Sequence, residues 1–331
     1  MNTFKTALAL AIATLALAAC SKKESGKIDE AGPSTVYMTR DISPEGLVKA
    51  FKALGVEPQG AVAVKISTGE AGNTNYLKPE LIKDLVEMTG GTIVECNTAY
   101  AGKRMTFEEH RQVIRDHGFE PLFKVDLMDE EGEMQIPVRD TTHIKYDIVG
   151  THLANYDFMI NLAHFKGHPM GGLGGVLKNA SIGVASANGK ANIHTAGYQQ
   201  VVEGLWEHVE NQDGFLESMA AAAQGVHDYF KQEGKNVVYI CVMNNMSVDC
   251  DCVATPEDPK LADIGILASL DPVALDQACV DLVFGHENDR EGDDAKPLQE
   301  RINRQHGTHT IDYAEQIGLG SKEYELVDID E

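Results

Sequence analysis

The chain has 331 residues, with 28 Lys and Arg against 51 Asp and Glu, for a formal charge of −23. So acidic a chain repels nucleic acid and anionic lipid headgroups, which excludes nucleic acid as a partner. Six cysteines, of which five lie beyond residue 20, leave an odd number that cannot all pair within the chain.

The chain opens with Lys5, an apolar run from Ala7 to Ala19, and Cys20. A charged start, a short apolar stretch and small residues before a cysteine describe a secretory signal too short for a comfortable membrane span. Leu17, Ala18, Ala19 and Cys20 resemble the lipobox of bacterial lipoproteins, in which the cysteine is lipidated and becomes the new N-terminus. Ser21, in place of Asp, matches the pattern sent to the outer membrane. The expected division is therefore a signal peptide at 1–19, a polar tether at 20–34 and a single α/β domain at 35–331, with the lipid on Cys20 as its link to the membrane.

Beyond the tether, short hydrophobic runs recur at 35–39, 61–67, 92–97, 157–163, 236–243 and 263–269. They are nearly continuous rather than alternating, as in strands covered on both faces. Helical patterns lie between them. Pro79 opens one that closes at Gly90 and Gly91, with apolar residues at 81, 82, 85 and 88. A capping box, Thr106 to Glu109, opens a second that stops at Gly118. A third spans 213–234, with a break expected at Gly225, and Asp271 and Pro272 cap and start a fourth. Strands alternating with helices predict a doubly wound, mostly parallel sheet with helices on both faces, as one unit or two lobes, one compact unit being favoured.

Two segments carry chemistry. "HFKGHPMGGLGGVLKN" (164–179) follows a predicted strand, so His164, Lys166 and His168 are expected at its carboxyl end, where open α/β sheets bind ligands. Gly171, Gly172, Gly174 and Gly175 permit close backbone approach and offer N–H groups to an anion, with Lys178 and Asn179 beside them. The spacing is not that of a phosphate-binding P-loop, since Asn179 follows Lys178. The second segment, "DCDC", also begins where a strand ends; Cys250 and Cys252 suit a zinc or iron site completed by an imidazole, from His164 or His168, of which His164 is assigned to the ligand set. The neighbouring Asp249 and Asp251 are expected to raise the thiol pKa values, which disfavours an activated nucleophile without a metal. His168, Lys166 and His194 are then the expected proton-moving and charge-holding groups, and Lys65, Asn75 and Asn97 offer further polar contacts from other strand ends. His110, His117, His208 and His227 fall on predicted helices and read as structural.

"HFKGHPMGGLGGVLKNASIG", "DCDC", "ADIGILASLDPVALDQACVDLV" and "YAEQIGLGSKEYELVDI" together resemble the domain of unknown function 362 family, whose members are often described as uncharacterised Fe-S centre proteins. The resemblance covers nearly the whole chain after the tether. Many relatives carry a ferredoxin-type segment with repeated CxxC motifs after the "KN…G" stretch. This chain runs through "ANIHTAGYQQVVEGLWEHVENQDG" without a cysteine, so an iron-sulfur cluster stays open as a cofactor, but the ferredoxin motifs that would hold one are absent. The resemblance implies a fold and a site, not a reaction.

The combined reading is a lipid-anchored, periplasm-facing enzyme dependent on zinc or iron, of redox or lyase/isomerase type, acting on a small anionic molecule. Its alternative is a non-catalytic lipoprotein that holds a metal ion or an exported cofactor with the same residues.

Overall fold

The structure is a computed structural model and describes residues 32–288 and 291–330; the expected signal peptide, Cys20, Ser21 and most of the expected tether lie outside the described residues. Twelve strands are β1 (Ser34–Thr39), β2 (Val62–Lys65), β3 (Thr92–Glu95), β4 (Val125–Leu127), β5 (Glu133–Pro137), β6 (Tyr146–Gly150), β7 (Phe158–His164), β8 (Lys166–His168), β9 (Gly172–Gly174), β10 (Asn236–Met243), β11 (Gly265–Ser269) and β12 (Tyr324–Asp328). The helices are α1 (Pro44–Ala53), α2 (Pro79–Thr89), α3 (Phe107–Asp116), α4 (Val176–Ala180), α5 (Ala187–His194), α6 (Gln212–Tyr229), α7 (Pro272–Phe284), α8 (Lys296–Arg304) and α9 (His309–Gln316). No described helix is long and apolar enough to cross a membrane.

Eight strands form one sheet in the order β12-β1-β11-β10-β7-β2-β3-β4. All neighbours pair in parallel except β11, which runs antiparallel to both β1 and β10. The expected mostly parallel sheet is thus present, with one reversed strand that hydrophobicity could not distinguish, because β11 is buried on both faces like its neighbours. Side-chain alternation splits the core. On β10, Val238, Ile240 and Val242 join the cluster under α1 and α2, while Val237, Tyr239 and Cys241 join the one under α4, α6 and α7.

The order of strands places the site. After β2 the chain builds outward through β3 and β4; after β7 it builds the other way through β10. The reversal leaves a crevice outside the carboxyl ends of β2 and β7, the place where doubly wound sheets take ligands. Asn179 closes its floor, donating from Nδ2 to Lys65 O at 2.9 Å and to Asn161 Oδ1 at 2.6 Å.

Helix α6 runs unbroken through Gly225, where the sequence suggested a break; the glycine lets the helix pack closely on Pro137 and Val138 of the β5 hairpin arm. Asp271 caps α7 as expected, accepting from Val273 N at 2.8 Å. Five residues on, Asp276 reaches from α7 to the glycine-rich loop, where its two carboxylate oxygens accept from Val176 N at 2.8 Å and Leu177 N at 2.9 Å. A Cβ at Gly175 would stand 2.2 Å from Asp276 Oδ1, so the loop must be glycine there for the carboxylate to reach the amides. Replacing Asp276 by Ala is expected to leave both buried amides without an acceptor, costing about 1–3 kcal/mol for each. Urea unfolding checks this, and an unchanged midpoint would contradict it.

Candidate active site

Chain geometry brings "DCDC" to the crevice through Asp251. Its carboxylate, 1% exposed, meets His164 Nδ1 at 2.9 Å and accepts from Lys166 Nζ at 2.8 Å, while its backbone oxygen accepts from Glu70 N at 2.8 Å. Burial alone would raise this carboxyl, but His164 and Lys166 outweigh it and hold it well below the ordinary carboxylate range. Gly167, next to Lys166 on β8, is required by contact: a Cβ there would lie 2.2 Å from Val248 O, in the segment that leads into Cys250.

His164 therefore does not complete the thiol pair. Its two ring nitrogens are occupied by Asp251 and by Asn244 O at 2.6 Å, so it positions the loop rather than joining Cys250 and Cys252. The imidazole beside the thiols is His168: one donor atom from each of His168, Cys250 and Cys252 lies within 4.8 Å of the others, a spacing compatible with a shared metal. His168 Nδ1 accepts from Met170 N at 3.1 Å and Gly171 N at 2.8 Å. With Nδ1 an acceptor, the neutral ring carries its proton on Nε2, the nitrogen left for its hydrogen bond with Cys250. Burial first, then the charge of Lys178, lowers His168 to about 4, so the ring is neutral near pH 7.

Cys250 departs from the sequence expectation. Its thiol is lowered well below the ordinary value, chiefly because the Cys252 thiol donates to it, and then because Lys178 and His168 favour the thiolate against the cost of burial. Cys252 N also points at Cys250 Sγ, at 3.4 Å. The flanking carboxylates do not raise Cys250 because both are spent elsewhere, Asp251 as above and Asp249 on Arg301 Nη1 at 3.1 Å. Cys252, the donor of the pair, is raised in turn.

Cys250, Cys252 and Lys166 open onto a small pocket of about 60 Å³. Five cationic side chains line it: Lys65, Arg104, Lys166, Lys178 and Lys190. Glu95 is the carboxylate in its wall, and it is fully engaged, accepting from Thr68 N, Thr68 Oγ1, Arg104 Nη1 and His110 Nε2 at 2.6–3.3 Å. Arg104 in turn spans Glu95 and Glu70, which fixes the loop carrying Tyr100 into the pocket wall.

The remaining residues named from sequence separate into two groups. Lys65, Lys166, Gly174, Gly175, Lys178 and Asn179 line the pocket. Gly171, Gly172, Asn75, Asn97 and His194 do not. The amides of Gly171, Val176 and Leu177 are not offered to a ligand, because His168 and Asp276 already accept from them. Asn97 sits behind the wall, its Oδ1 2.9 Å from His110 Nδ1; Asn75 gives its backbone N–H to Asn73; His194 is buried against Phe215 with Nδ1 at Lys190 O. Sequence reasoning missed Arg104, Tyr100, Lys190 and Glu95. Glu95 alone had a signal, its place at a strand end two residues before Asn97.

A family model described as "Domain of unknown function (DUF362)" matches residues 62–281, so the chain belongs to that family. No curated protein matches the chain. Among solved structures it is similar to a protein from Thermotoga maritima, at 14% identity and a TM-score of 0.42, covering 69% of this chain and 55% of that one. It is also similar to the lactate racemase apoprotein from Thermoanaerobacterium thermosaccharolyticum, at 11% identity and a TM-score of 0.38, covering 62% of this chain and 50% of that one. The chain thus spans about half the length of each.

Because the Asp251 carboxyl is depressed on folding, its contribution is present above the unfolded value near 4 and is lost as pH falls below it. Asp251→Asn is expected to cost about 3–5 kcal/mol at neutral pH and to flatten the acid limb of stability against pH. Urea titrations between pH 3 and 7 test this; parallel profiles for the two chains would contradict it.

Proposed function

We propose that the pocket is the active site of a metal-dependent enzyme of redox or lyase/isomerase type, acting on a small anionic substrate, in a lipoprotein anchored through Cys20 and facing the periplasm. The observation that carries the reading is a pair of thiols set in a pocket lined by five cationic side chains, in a chain of charge −23. Cations gathered against the net charge are matched to an anion at that place rather than to the surface as a whole. The anchor is supported by the sequence around Cys20.

In this reading Cys250 and Cys252 hold zinc or iron as thiolates, a soft donor pair suited to either metal. The metal supplies Lewis-acid polarisation of a substrate oxygen. Lys166 and Lys178 hold substrate charge; Asp251 and then Cys250 keep Lys166 protonated against burial. His168 holds a movable proton at Nε2, its ring fixed by the two backbone donors on Nδ1.

One observation favours a second reading. Because Nδ1 accepts from two amides, Nε2 must shed its proton to bind a metal, whereas as an N–H donor it stabilises a Cys250 thiolate with no metal present. Metal content by mass spectrometry, on chain purified without oxygen beside a Cys250→Ser, Cys252→Ser double variant, separates the two. Near one equivalent of zinc or iron, lost in the variant, is the expected result; no metal in either chain would contradict the metal reading and leave the thiolate.

A further inference from the structure

Two buried ammonium groups in the pocket wall face it without a carboxylate at ion-pair distance among the described residues. Lys65, 2% exposed at the carboxyl end of β2, donates from Nζ to Ile66 O at 2.5 Å and to Asn179 Oδ1 at 3.2 Å. Lys190, 4% exposed on α5, donates to Ala185 O at 2.6 Å. An ammonium has three protons, so one on Lys65 and two on Lys190 remain for a ligand. The acidic groups that act on them are Glu95 and then Cys96 on Lys65, and Cys96, Asp129 and Glu95 on Lys190, with Asp147 near Lys190 as well; burial raises the Cys96 thiol, which keeps it neutral. Glu95 is taken up by Thr68, Arg104 and His110, and Asp129 accepts from Asn97 N at 3.1 and 3.2 Å. Burial lowers both lysines, Lys65 to about 8, and the positive charges of Lys190 and Arg104 add to the effect on Lys65. The Ser67 hydroxyl, half-buried in the same wall, has no partner among the described residues.

A buried cation without a counter-charge is costly, and a pair in one pocket doubles the demand. A carboxylate would compensate one ammonium and leave the other. A phosphate monoester brings about −1.5 to −2 charges near pH 7 and three acceptor oxygens, which matches the two ammoniums, their three spare protons and the Ser67 hydroxyl. We infer that Lys65, Lys190 and Ser67 form a subsite for the phosphate of a phosphate monoester, with the remainder of that molecule extending toward Cys250 and Cys252. The inference rests on the pocket being a substrate site and specifies the substrate's charged end.

The test is calorimetric titration of the full chain, in metal-free buffer, with phenyl phosphate and with benzoate, alongside Lys65→Met and Lys190→Met variants. Phenyl phosphate is expected to bind at least tenfold tighter than benzoate and to lose at least tenfold in each variant, with zinc uptake unchanged. Its affinity rises from pH 5.5 to 7 as the phosphate gains its second charge near pH 6 and falls above pH 8 as Lys65 loses its proton. Equal affinity for the two probes in the unsubstituted chain overturns the subsite and needs no variant to fold. That result with zinc still bound through Cys250 and Cys252 leaves the thiol site standing; zinc uptake indifferent to both cysteines overturns the site reading itself.

Discussion

The buried Asp251 carboxylate, shared between His164 and Lys166, is the contact on which the site depends. His164 ends β7 and Lys166 begins β8, so one side chain from the "DCDC" loop ties that loop to the carboxyl edge of the central sheet. With Asp251 anchored on one side of Cys250 and Asp249 held by Arg301 on the other, the two thiols are turned into the crevice. The same arrangement spends both carboxylates before they can oppose a thiolate. Local sequence and folded electrostatics therefore predict opposite shifts for Cys250, and the folded arrangement decides, because an ion-paired carboxylate exerts little net field on its neighbour.

A second constraint is the separation of charge. An acidic chain keeps five cations in one pocket, and its acidic wall residue, Glu95, is consumed by four donors that fix the wall itself. Asp276 acts similarly from below, taking up the Val176 and Leu177 amides that follow the glycine-rich stretch. Lysines, unlike loop amides, change charge with pH and with burial, so the pocket can be both a binding site and a source of protons.

Much of this was legible in sequence. The hydrophobic runs, the Pro79 and Thr106 helix starts and the Asp271 cap each depend on local rules, and each has its counterpart in β1, β2, β3, β7, β10, β11, α2, α3 and α7. Of the strands not read from sequence, β4, β8 and β9 have only three residues each, and β5 and β12 are largely exposed and carry no continuous apolar run. The thiols, Lys65, Lys166, Lys178 and Asn179 were found because they sit at or just after strand ends. The exchange between His164 and His168 was not readable, because it turns on which ring meets Asp251, some 85 residues away in sequence. Arg104 and Lys190 were missed for the same reason: nothing local marks a lysine on a helix or an arginine in a loop as facing a pocket built by β2, β3 and β7.

The proposed metal site requires the two thiols of the cationic pocket to hold the ion together. An anomalous-difference map from crystals of the zinc-loaded full chain tests it most directly. The expected result is a peak at bonding distance from both Cys250 Sγ and Cys252 Sγ, about 2.3 Å from each. A peak bound only to carboxylates away from the pocket would contradict it.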